Sequence, residues 1–432
     1  MKNIIPEVES QFIEEIDLEN FFSFLIPDEK EREIVEIIKK IAQKRGEFLY
    51  FAGGAVRDYL LGIKTKDFDL VLQGNLEELL KEFLKYVKGK IIFKSQFLTY
   101  KVKIFGEKEI LMDFITARKE NYPEIAHLPE VIPSHFIDDI KRRDFTINSM
   151  IIGLTKPYEG KLIDLLNGRK DLKNKFIKPL HLHSFIEDPT RIFRGIRYKV
   201  RLNFNFHENF LIALKKAFEK EALTKLTPSR ISNELYLYFI KEPEENLKEL
   251  LNVTLKLGIF ETLGFEISYE KIERIIKIWK EIKNEIPEKE KKKAFLLSLT
   301  DISLKGIKYL EFSKEEIQRI EKLNQRFLNF ISKKKLETWE KIEFLEKLPV
   351  YFLPYLAINF LEYATDIVKF LKHYRKIKPE LSGEDLIKLG VSSGPEIGRI
   401  LKILRRYKIE KKLKSKEEEK NMVINILNKT EN

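Results

Sequence analysis

The amino-acid sequence changes character once, near residue 170. Between residues 46 and 165, short β-rich runs such as FLYFAGGAV and KEILMDFITAR are bounded by glycine and polar residues, and one amphipathic stretch has helical spacing. After residue 170 the apolar residues recur at helical spacing almost to the end. This pattern predicts an α+β fold, in which a small mixed sheet with helices is followed by an all-helical remainder.

The length of 432 residues suits a chain of several domains. We expect the sheet-containing part to form a head, and the helical part to divide into a neck, a body and a tail. The expected segments are an N-terminal helical extension (1–45), the head (46–165), the neck (166–240), the body (241–340) and the tail (341–432).

Composition narrows the classes of function. The chain has no cysteine and six histidines, which excludes disulfide frameworks, iron–sulfur clusters and thiol nucleophiles and argues against a zinc enzyme. No run approaches the ~18 apolar residues that a membrane-spanning helix needs. The first residues also lack the pattern of a secretory signal. These features predict a cytoplasmic protein without a membrane partner.

The net charge is +12, from 80 Lys and Arg against 68 Asp and Glu. A solvated surface rich in salt bridges explains this excess, and so does a polyanionic partner such as a nucleic acid. Composition alone leaves both explanations open.

Two carboxylates in the run KDFDLVLQG are the first candidates for chemistry. Asp67 and Asp69 are two residues apart on a predicted strand, so both project from the same face. Such a rigid pair suits Mg²⁺, which prefers oxygen ligands and keeps positions open for substrate phosphates. Asp113 is a candidate third carboxylate if its strand lies alongside. Because an isolated D-x-D is usually a turn or a solvated edge, this interpretation depends on the neighbouring motifs.

A pair of glycines precedes the acidic pair. Gly53 and Gly54 follow the apolar run FLYF, at a predicted junction between a strand and a helix. Paired glycines at such a junction let backbone N–H groups approach a phosphate, and Arg57 lies one turn later. A structural turn is the alternative, but the combination with an acidic pair thirteen residues later favours a phosphate site. The P-loop and Rossmann patterns are both absent.

The stretch 187–202 predicts an amphipathic helix with an unusual polar face. Its apolar residues fill one arc, whereas the polar arc is arginine-rich and lacks the Lys/Glu mixture found elsewhere in the chain. Arginine suits bidentate binding of phosphates and base edges. The residues predicted to share this face are Arg191, Arg194, Arg197, Tyr198 and Arg201.

Taken in order, these motifs resemble those of the polymerase-β-like nucleotidyltransferases. GGAVRD followed by DFD is similar to the superfamily pattern, and the later motifs resemble the class II tRNA nucleotidyltransferases and the bacterial poly(A) polymerases. The motifs that carry this resemblance are RRDFTINS (142–149), LIDLLNGRKDL (162–172), EDPTRIFRGIRYKVRL (187–202), LTPSRISNEL (226–235) and LSGEDLIKLGVSSGPEIGRIL (381–401).

The resemblance implies a polymerase-β-like head and a reaction that needs Mg²⁺. Asp67 and Asp69 are implied to bind the metal and to activate an RNA 3′-hydroxyl, which attacks the α-phosphate of a nucleoside triphosphate. Binding of the triphosphate is implied for Gly53, Gly54 and Arg57.

The resemblance also assigns the nucleotide pocket. Asp188 and Arg191 are implied to read the incoming base through Watson–Crick-like hydrogen bonds, with Arg194 and Arg197 beside the phosphates. The residues implied to hold the ribose and triphosphate are Arg143, Asp144 and Asn148.

The implied activity is addition of the 3′-terminal CCA, or of its final A, to tRNA from CTP and ATP with release of pyrophosphate. The segment 116–135 resembles the mobile loop of enzymes that add the final A, which favours A addition or full CCA addition. A poly(A) polymerase and an enzyme that adds CC alone are the alternatives, and a catalytically silent RNA-binding protein is another. Ser149 and Thr190 depart mildly from the family pattern.

The C-terminal part contains the candidate contact with tRNA. Residues 402–416 are strongly basic and follow the motif SGPEIG. A solvated terminal helix is the simpler explanation, but A-form RNA is gripped mainly through its phosphates and 2′-hydroxyls. The residues predicted to contact tRNA are Arg399, Lys402, Arg405, Arg406 and Lys408.

Overall fold

A computed structural model describes residues 4–65, 69–106, 109–332 and 336–430. The chain packs as two compact units, Met1–Arg230 and Ile231–Asn432. Every strand of the described residues belongs to the first unit, and the second unit is helical. The predicted α+β fold, with a sheet-containing head followed by a largely helical region, is confirmed. The expectation of an all-helical neck (166–240) is wrong in one detail, because two-residue strands at Phe176–Ile177 and Asn205–Phe206 pair with each other there.

The described residues form one large mixed sheet and two small ribbons. The sheet has eight strands in the order β1-β10-β9-β2-β3-β6-β5-β4, and the ribbons pair β7 with β8 and β11 with β12. The strands are β1 (Ile13–Glu15), β2 (Phe48–Ala52), β3 (Asp69–Gln73), β4 (Gly89–Lys94), β5 (Thr99–Ile104), β6 (Ile110–Thr116), β7 (Arg118–Asn121), β8 (Glu130–Pro133), β9 (Ile151–Gly153), β10 (Lys161–Ile163), β11 (Phe176–Ile177) and β12 (Asn205–Phe206).

The helices follow the chain from the sheet into the second unit, and the division between the units falls within α10. Those that begin in the first unit are α1 (Leu18–Leu25), α2 (Glu29–Lys44), α3 (Gly54–Leu60), α4 (Leu76–Phe83), α5 (Phe136–Lys141), α6 (Gly168–Lys173), α7 (Ser184–Glu187), α8 (Thr190–Leu202), α9 (Glu208–Glu219) and α10 (Pro228–Ile240). The later ones are α11 (Leu247–Lys256), α12 (Ile259–Thr262), α13 (Tyr269–Ile282), α14 (Glu288–Ser298), α15 (Lys314–Ile331), α16 (Thr338–Glu346), α17 (Leu353–Asn359), α18 (Leu361–Lys372), α19 (Gly383–Lys388), α20 (Pro395–Ile409) and α21 (Lys416–Thr430). Short 3-10 helices are Ser10–Phe12, Thr146–Asn148, Glu244–Asn246, Lys283–Glu285, Ile307–Tyr309, Val350–Phe352 and Tyr374–Lys376.

The first 45 residues form helices and also an edge strand. Asp17 and Asp28 cap α1 and α2 through their side chains, as expected of short acceptors at helix N-termini. Strand β1 pairs antiparallel with β10, with Ile13 opposite Ile163. A strand of three residues carries too little alternation to be recognised in the sequence.

The central strands are buried on both faces, which explains their continuous apolar sequence. Every residue of β2 is buried. Helix α5 packs on the face that carries Tyr50 and Val71, where Phe136 and Ile140 join their core cluster. Toward the β4 edge only one face of the sheet is buried. On β5, the buried residues Tyr100, Val102 and Ile104 alternate with more exposed residues. The sheet is therefore covered on both sides only in its middle.

The second unit is built from amphipathic helices with clear start signals. Ser313 and Ser382 form capping boxes at the N-termini of α15 and α19. Near the C-terminus, Leu386, Ile400 and Leu404 contribute to a separate small core. Among the helices of the described residues, none combines the length and the hydropathy needed to cross a lipid bilayer.

Candidate active site

A cleft of about 520 Å³ lies in the first unit. Its lining comes from the β2–α3 turn, the start of β3, the β7 strand, the end of α5 and helix α8. Charged groups of both signs line it. The arginines are Arg57, Arg142, Arg143, Arg191, Arg194 and Arg201, and the acids are Asp58, Asp69, Glu120, Asp144 and Asp188. Guanidinium groups in this number suit a ligand with several phosphates.

The turn after β2 requires glycine at its first position. Gly53 has φ +69°, and a Cβ there would lie 2.8 Å from Nη1 of Arg143. A side chain at Gly53 would therefore strain the backbone and displace that guanidinium. Helix α3 begins at Gly54, and Arg57 follows one turn later inside the cleft.

A chain of hydrogen bonds connects α3 to α8. Arg57 donates from Nη1 to Oδ1 of Asn148 at 2.7 Å, and Asn148 donates from Nδ2 to Oδ1 of Asp144 at 2.9 Å. The other oxygen of Asp144 accepts from Nε of Arg194 at 2.8 Å. Burial alone would raise the pKa of Asp144, but the Arg194 charge and the hydrogen bonds from Asn148 and Arg194 together outweigh burial and lower this pKa. The carboxylate therefore stays ionised and fixes the motif residues against α8.

Four of the five residues predicted to share the polar face of α8 line the cleft. Arg191, Arg194, Tyr198 and Arg201 reach the cleft, whereas the apolar arc of the helix is buried in the core. The guanidinium carbons of Arg57, Arg194 and Arg201 lie 4.9, 5.8 and 6.0 Å from the centroid of the Tyr198 ring. This ring supports three cationic side chains in one place.

Asp188 and Arg191 stand at the start of this helix. The Asp188 oxygen Oδ1 accepts from the backbone N–H and the hydroxyl of Thr190 and from Nη2 of Arg230, at 3.1, 2.6 and 2.6 Å. Among the described residues, every hydrogen bond to this carboxylate goes to Oδ1. Oδ2 is thus left to accept from a ligand. Arg191 donates from Nη1 to the Ser184 hydroxyl at 2.8 Å, and its side chain lines the same cleft as Asp188.

The segment 116–135 contains a β-hairpin, made of β7 and β8, that contributes to the cleft. Tyr122 follows β7, and its hydroxyl donates to Oε2 of Glu120 at 2.9 Å and accepts from Nη2 of Arg191 at 3.2 Å. Burial raises the pKa of Tyr122, so this hydroxyl keeps its proton. Arg230 ties the same segment to the pocket by donating to the Ala126 carbonyl at 2.6 Å.

A buried carboxylate organises the two arginines of the RRDF motif. Asp139 on α5 is 0% exposed. One of its oxygens accepts from Nε of Arg142 at 2.8 Å, and the other accepts from Nη2 of Arg143 at 2.8 Å. Arg142 also pairs with Glu120 at 3.0 Å. Arg143 is therefore connected through Asp139, Arg142 and Glu120 to the β7–β8 segment, whose Tyr122 contacts Arg191.

Two of the three predicted catalytic carboxylates, Asp69 and Asp113, belong to the described residues. Asp67 lies outside the described residues. Asp69 begins β3 and lines the cleft, and it stands opposite Asp113 in the parallel pairing of β3 with β6. Asp113 accepts from Lys101 at 2.9 Å. Carboxylates at paired positions of neighbouring strands share a face, so Asp69 and Asp113 are placed to supply two of the oxygen ligands of a divalent cation. The described residues contain no cluster of three such side chains.

Comparison with known proteins agrees with this geometry. Residues 49–178 match the Poly A polymerase head domain family. The chain is 29% identical over 372 residues to the A-adding tRNA nucleotidyltransferase of Halalkalibacterium halodurans, covering 84% of this chain and 85% of that protein. It is 32% identical to the A-adding tRNA nucleotidyltransferase of Aquifex aeolicus over 83% of this chain and 44% of that longer protein. A solved structure of a CCA-adding enzyme in an apo form superimposes with a TM-score of 0.76 at 26% identity, covering 96% of this chain and 99% of the other.

The chain belongs to the class II tRNA nucleotidyltransferases. Most of the nucleotide-binding residues predicted for such an enzyme come together in the one cleft. Arg197 lies on α8 and is buried, but it is not among the residues that line the cleft. The predicted residues found in the lining are Gly53, Gly54, Arg57, Asp69, Arg143, Asp144, Asn148, Asp188, Arg191 and Arg194.

The five basic residues predicted to contact tRNA lie on or next to one helix, α20, in the second unit. Arg405 and Lys408 are largely tied to their surroundings, since Arg405 donates to the Ile377 carbonyl at 2.8 Å and Lys408 pairs with Glu380 at 2.8 Å. Arg399, Lys402 and Arg406 are about half exposed and have single acidic partners. Arg399, Lys402 and Arg406 are therefore more accessible than Arg405 and Lys408, and contact of any of the five with tRNA stays a prediction.

Several residues of the candidate site have no role in the predictions from sequence. Asp139 was detectable, because it lies on α5 three and four residues before Arg142 and Arg143, which follow the end of that helix. Glu120 and Tyr122 lie within the loop segment that the sequence singled out, but nothing local indicates their contacts. Arg230 lies in a recognised motif, and its partner Asp188 is 42 residues away.

Proposed function

We propose that this chain transfers nucleotides from CTP or ATP to the 3′ end of tRNA, and that addition of the final A is part of its activity. Its family acts as tRNA nucleotidyltransferases, and both curated relatives described above are A-adding enzymes. The alternatives are an enzyme that adds CC alone and a poly(A) polymerase. The family is one of cytoplasmic enzymes, which fits the predicted cytoplasmic location.

The observation that carries the proposal is the pair formed by Asp188 and Arg191. Cytosine and adenine both present an exocyclic amino group beside a ring nitrogen acceptor, and uracil and guanine present a carbonyl instead. The Asp188 oxygen Oδ2 suits the amino group, and the Arg191 guanidinium suits the ring nitrogen. A carboxylate held by Thr190 and Arg230 thus replaces the template strand that selects C and A.

The reaction would proceed at the other end of the cleft. The oxygen of the RNA 3′-hydroxyl attacks the α-phosphorus, the bond from that phosphorus to the bridging oxygen breaks, and pyrophosphate leaves with the electron pair. Arg57 and Arg143 are placed to hold the triphosphate. Asp67, Asp69 and Asp113 would hold Mg²⁺, which when bound favours ionisation of the hydroxyl and offsets the charge on the phosphates.

Incorporation on three tRNA transcripts tests the proposal. The transcripts end before the first C, after one C and after CC, and each receives CTP, ATP or both with Mg²⁺. Addition of A to the CC-ending transcript alone identifies an A-adding enzyme, and ordered addition of C, C and A identifies a complete CCA enzyme. Addition of C without A, or long oligo(A) on unrelated RNA, would contradict the proposal.

Replacing Arg191 with alanine is expected to reduce base selection. The loss of a base-edge partner should lower the preference for ATP over GTP in kcat/KM by about 5- to 100-fold, the range for one paired contact to a base. Arg201→Ala is the matched control, because Arg201 reaches the same cleft over the Tyr198 ring and should lower addition of all four nucleotides alike. Equal losses for all nucleotides in Arg191→Ala would rule out its role in reading the base.

A further inference from the structure

The face of the sheet that carries Asp69 continues uncovered beyond the cleft. Helix α5 and its core cluster cover this face over β2 and β3. On β4, β5 and the first half of β6 the same face is open, and Phe93 and Leu111 are 50% and 66% exposed. The opposite face is closed on β5 and β6, since Tyr100, Val102 and Met112 are buried. Large apolar side chains exposed beside a catalytic centre call for a partner.

Strand register places the exposed side chains in two rows. In the first row Phe93 stands opposite Lys101, Lys101 opposite Asp113, and Asp113 opposite Asp69. This row crosses four neighbouring strands, so Phe93 lies about 14 Å from the β3 position of Asp69. Paired positions share a face, and the row therefore runs along one surface from the mouth of the cleft to the edge of the sheet.

The second row is parallel to the first and is also basic. Lys90 stands opposite Lys103, and Lys103 opposite Leu111. The Phe105 ring lies near this row, with the Nζ atoms of Lys90 and Lys103 both 6.0 Å from its centroid. We call the residues Lys90, Phe93, Lys101, Lys103 and Leu111 the outer strand face. The acids on or beside it are Asp113, which accepts from Lys101, and Glu109, which pairs with Lys103 at 2.7 Å.

We propose that the outer strand face binds the last nucleotides of the RNA whose 3′-hydroxyl lies at Asp69. The three lysines suit RNA phosphates, and the side chains of Phe93 and Leu111 offer an apolar surface on which bases can stack. Proteins that bind single-stranded nucleic acids combine these two features. The inference rests on the proposed function, because it requires an RNA end at Asp69. An RNA chain that leaves the cleft along the first row passes Lys101 and then Phe93 within a few nucleotides.

Lys101 of the outer strand face also contacts one of the predicted catalytic carboxylates. Its ammonium group bonds to Asp113 at 2.9 Å, within the row that leads to Asp69. A phosphate on this row would attract the Lys101 ammonium group, and Asp113 would then be released from that ammonium group to hold a divalent cation with Asp69. With RNA bound, Lys101 would contact a phosphate instead of Asp113. The test below leaves Lys101 unchanged, because its loss would affect the metal-binding carboxylates directly.

The test separates binding of RNA from binding of nucleotide. Phe93→Ala and the double variant Lys90→Ala/Lys103→Ala are compared with the wild type by incorporation of AMP on a CC-ending tRNA. The Phe93→Ala variant should raise KM for RNA by about 5- to 100-fold, the range for one lost stacking contact. The KM for ATP should change by less than about twofold. In the double variant, the slope of log Kd against log salt should fall by about 1.4, which is two single-strand phosphate contacts.

Two variants control for structure. Lys94→Ala removes a lysine from the same strand on the opposite face, where it pairs with Glu77 at 2.7 Å, and should leave KM for RNA unchanged. Phe93→Trp keeps an aromatic surface and should bind RNA as the wild type does. An RNA KM within twofold of the wild type in both outer-face variants overturns the inference, as does an equal shift in Lys94→Ala. The face would then belong to a protein partner or to solvent.

Anisotropy of a labelled tRNA without nucleotide distinguishes this inference from the proposed function. If the wild type adds no nucleotide but the outer-face variants lose RNA affinity, the proposed reaction fails and the RNA surface stands. If the wild type adds nucleotides and all variants bind RNA equally, the reaction stands and the surface fails.

Discussion

Replacing Asp69 with asparagine is expected to lower kcat/KM for nucleotide addition by about 10³-fold or more, the size of effect seen when a group that stabilises transition-state charge is removed. The amide keeps the shape of the side chain but loses the negative charge that would hold Mg²⁺ at the 3′-hydroxyl. The effect should appear in kcat, with little change in RNA affinity, because the carboxylate acts on the reacting atoms. Single-turnover incorporation with each CTP and ATP measures it.

Two comparisons make this result specific. Asp113→Asn should cause a smaller loss, because Asp113 is already shared with Lys101 and stands one strand away from the cleft lining. Glu78→Gln, on helix α4, removes an exposed carboxylate that is remote from the cleft and should be neutral. If Asp69→Asn retains wild-type incorporation, the carboxylate has a structural role and the proposed reaction has to be abandoned.

Replacing Asp139 with asparagine is expected to destabilise the fold by about 3 to 5 kcal/mol, the cost of breaking a buried ion pair from one side. The variant would leave Arg142 and Arg143 without the carboxylate that accepts from both of them. Urea unfolding followed by circular dichroism measures the change in free energy. Asp138→Asn is the matched control one residue earlier, where the side chain contacts the Ser134 hydroxyl and is not part of the arginine cluster. It should cost about 1 kcal/mol or less.

The same carboxylate predicts how stability depends on pH. Burial alone would raise the pKa of Asp139, but the Arg142 and Arg143 charges outweigh it and lower this pKa to about 2. In the unfolded chain the pKa of an aspartate is about 3.9. The stabilisation is therefore present above about pH 4 and is lost as the pH falls toward 2. The wild type should lose more stability than Asp139→Asn between these two values, and parallel curves for the two proteins would contradict the assignment.

Local patterns in the sequence were enough for much of the site. The glycine pair, the arginine face of α8 and the RRDF motif each depend on neighbours within a turn or two, and short-range geometry decides where their side chains point. The cleft accordingly contains Gly53, Arg143 and Arg191 as predicted. The helical spacing of Asp139 before the two arginines carried the same kind of signal.

What the sequence does not specify is pairing between distant segments. Asp69 and Asp113 stand opposite each other because β3 and β6 pair in parallel across an intervening helix and hairpin, and no local pattern sets that register. The contact of Arg230 with Asp188 and Ala126 joins three separate segments in the same way. Strand β1 is added at the sheet edge by three residues. In each case tertiary packing decides, and single-sequence periodicity contains no information about it.

The single open oxygen of Asp188 limits what the proposed pocket can encode. An acceptor at this position distinguishes only bases with an exocyclic amino group from bases with a carbonyl group. It accepts cytosine and adenine equally, so this atom cannot determine the order in which C, C and A are added. Discrimination between a pyrimidine and a purine has to depend on the volume available to the base. Tyr122 and the β7 strand line one side of the cleft, and we expect the volume available to the base to be set there. A change in base order should therefore follow changes in the hairpin, and changes at Asp188 should abolish selection altogether.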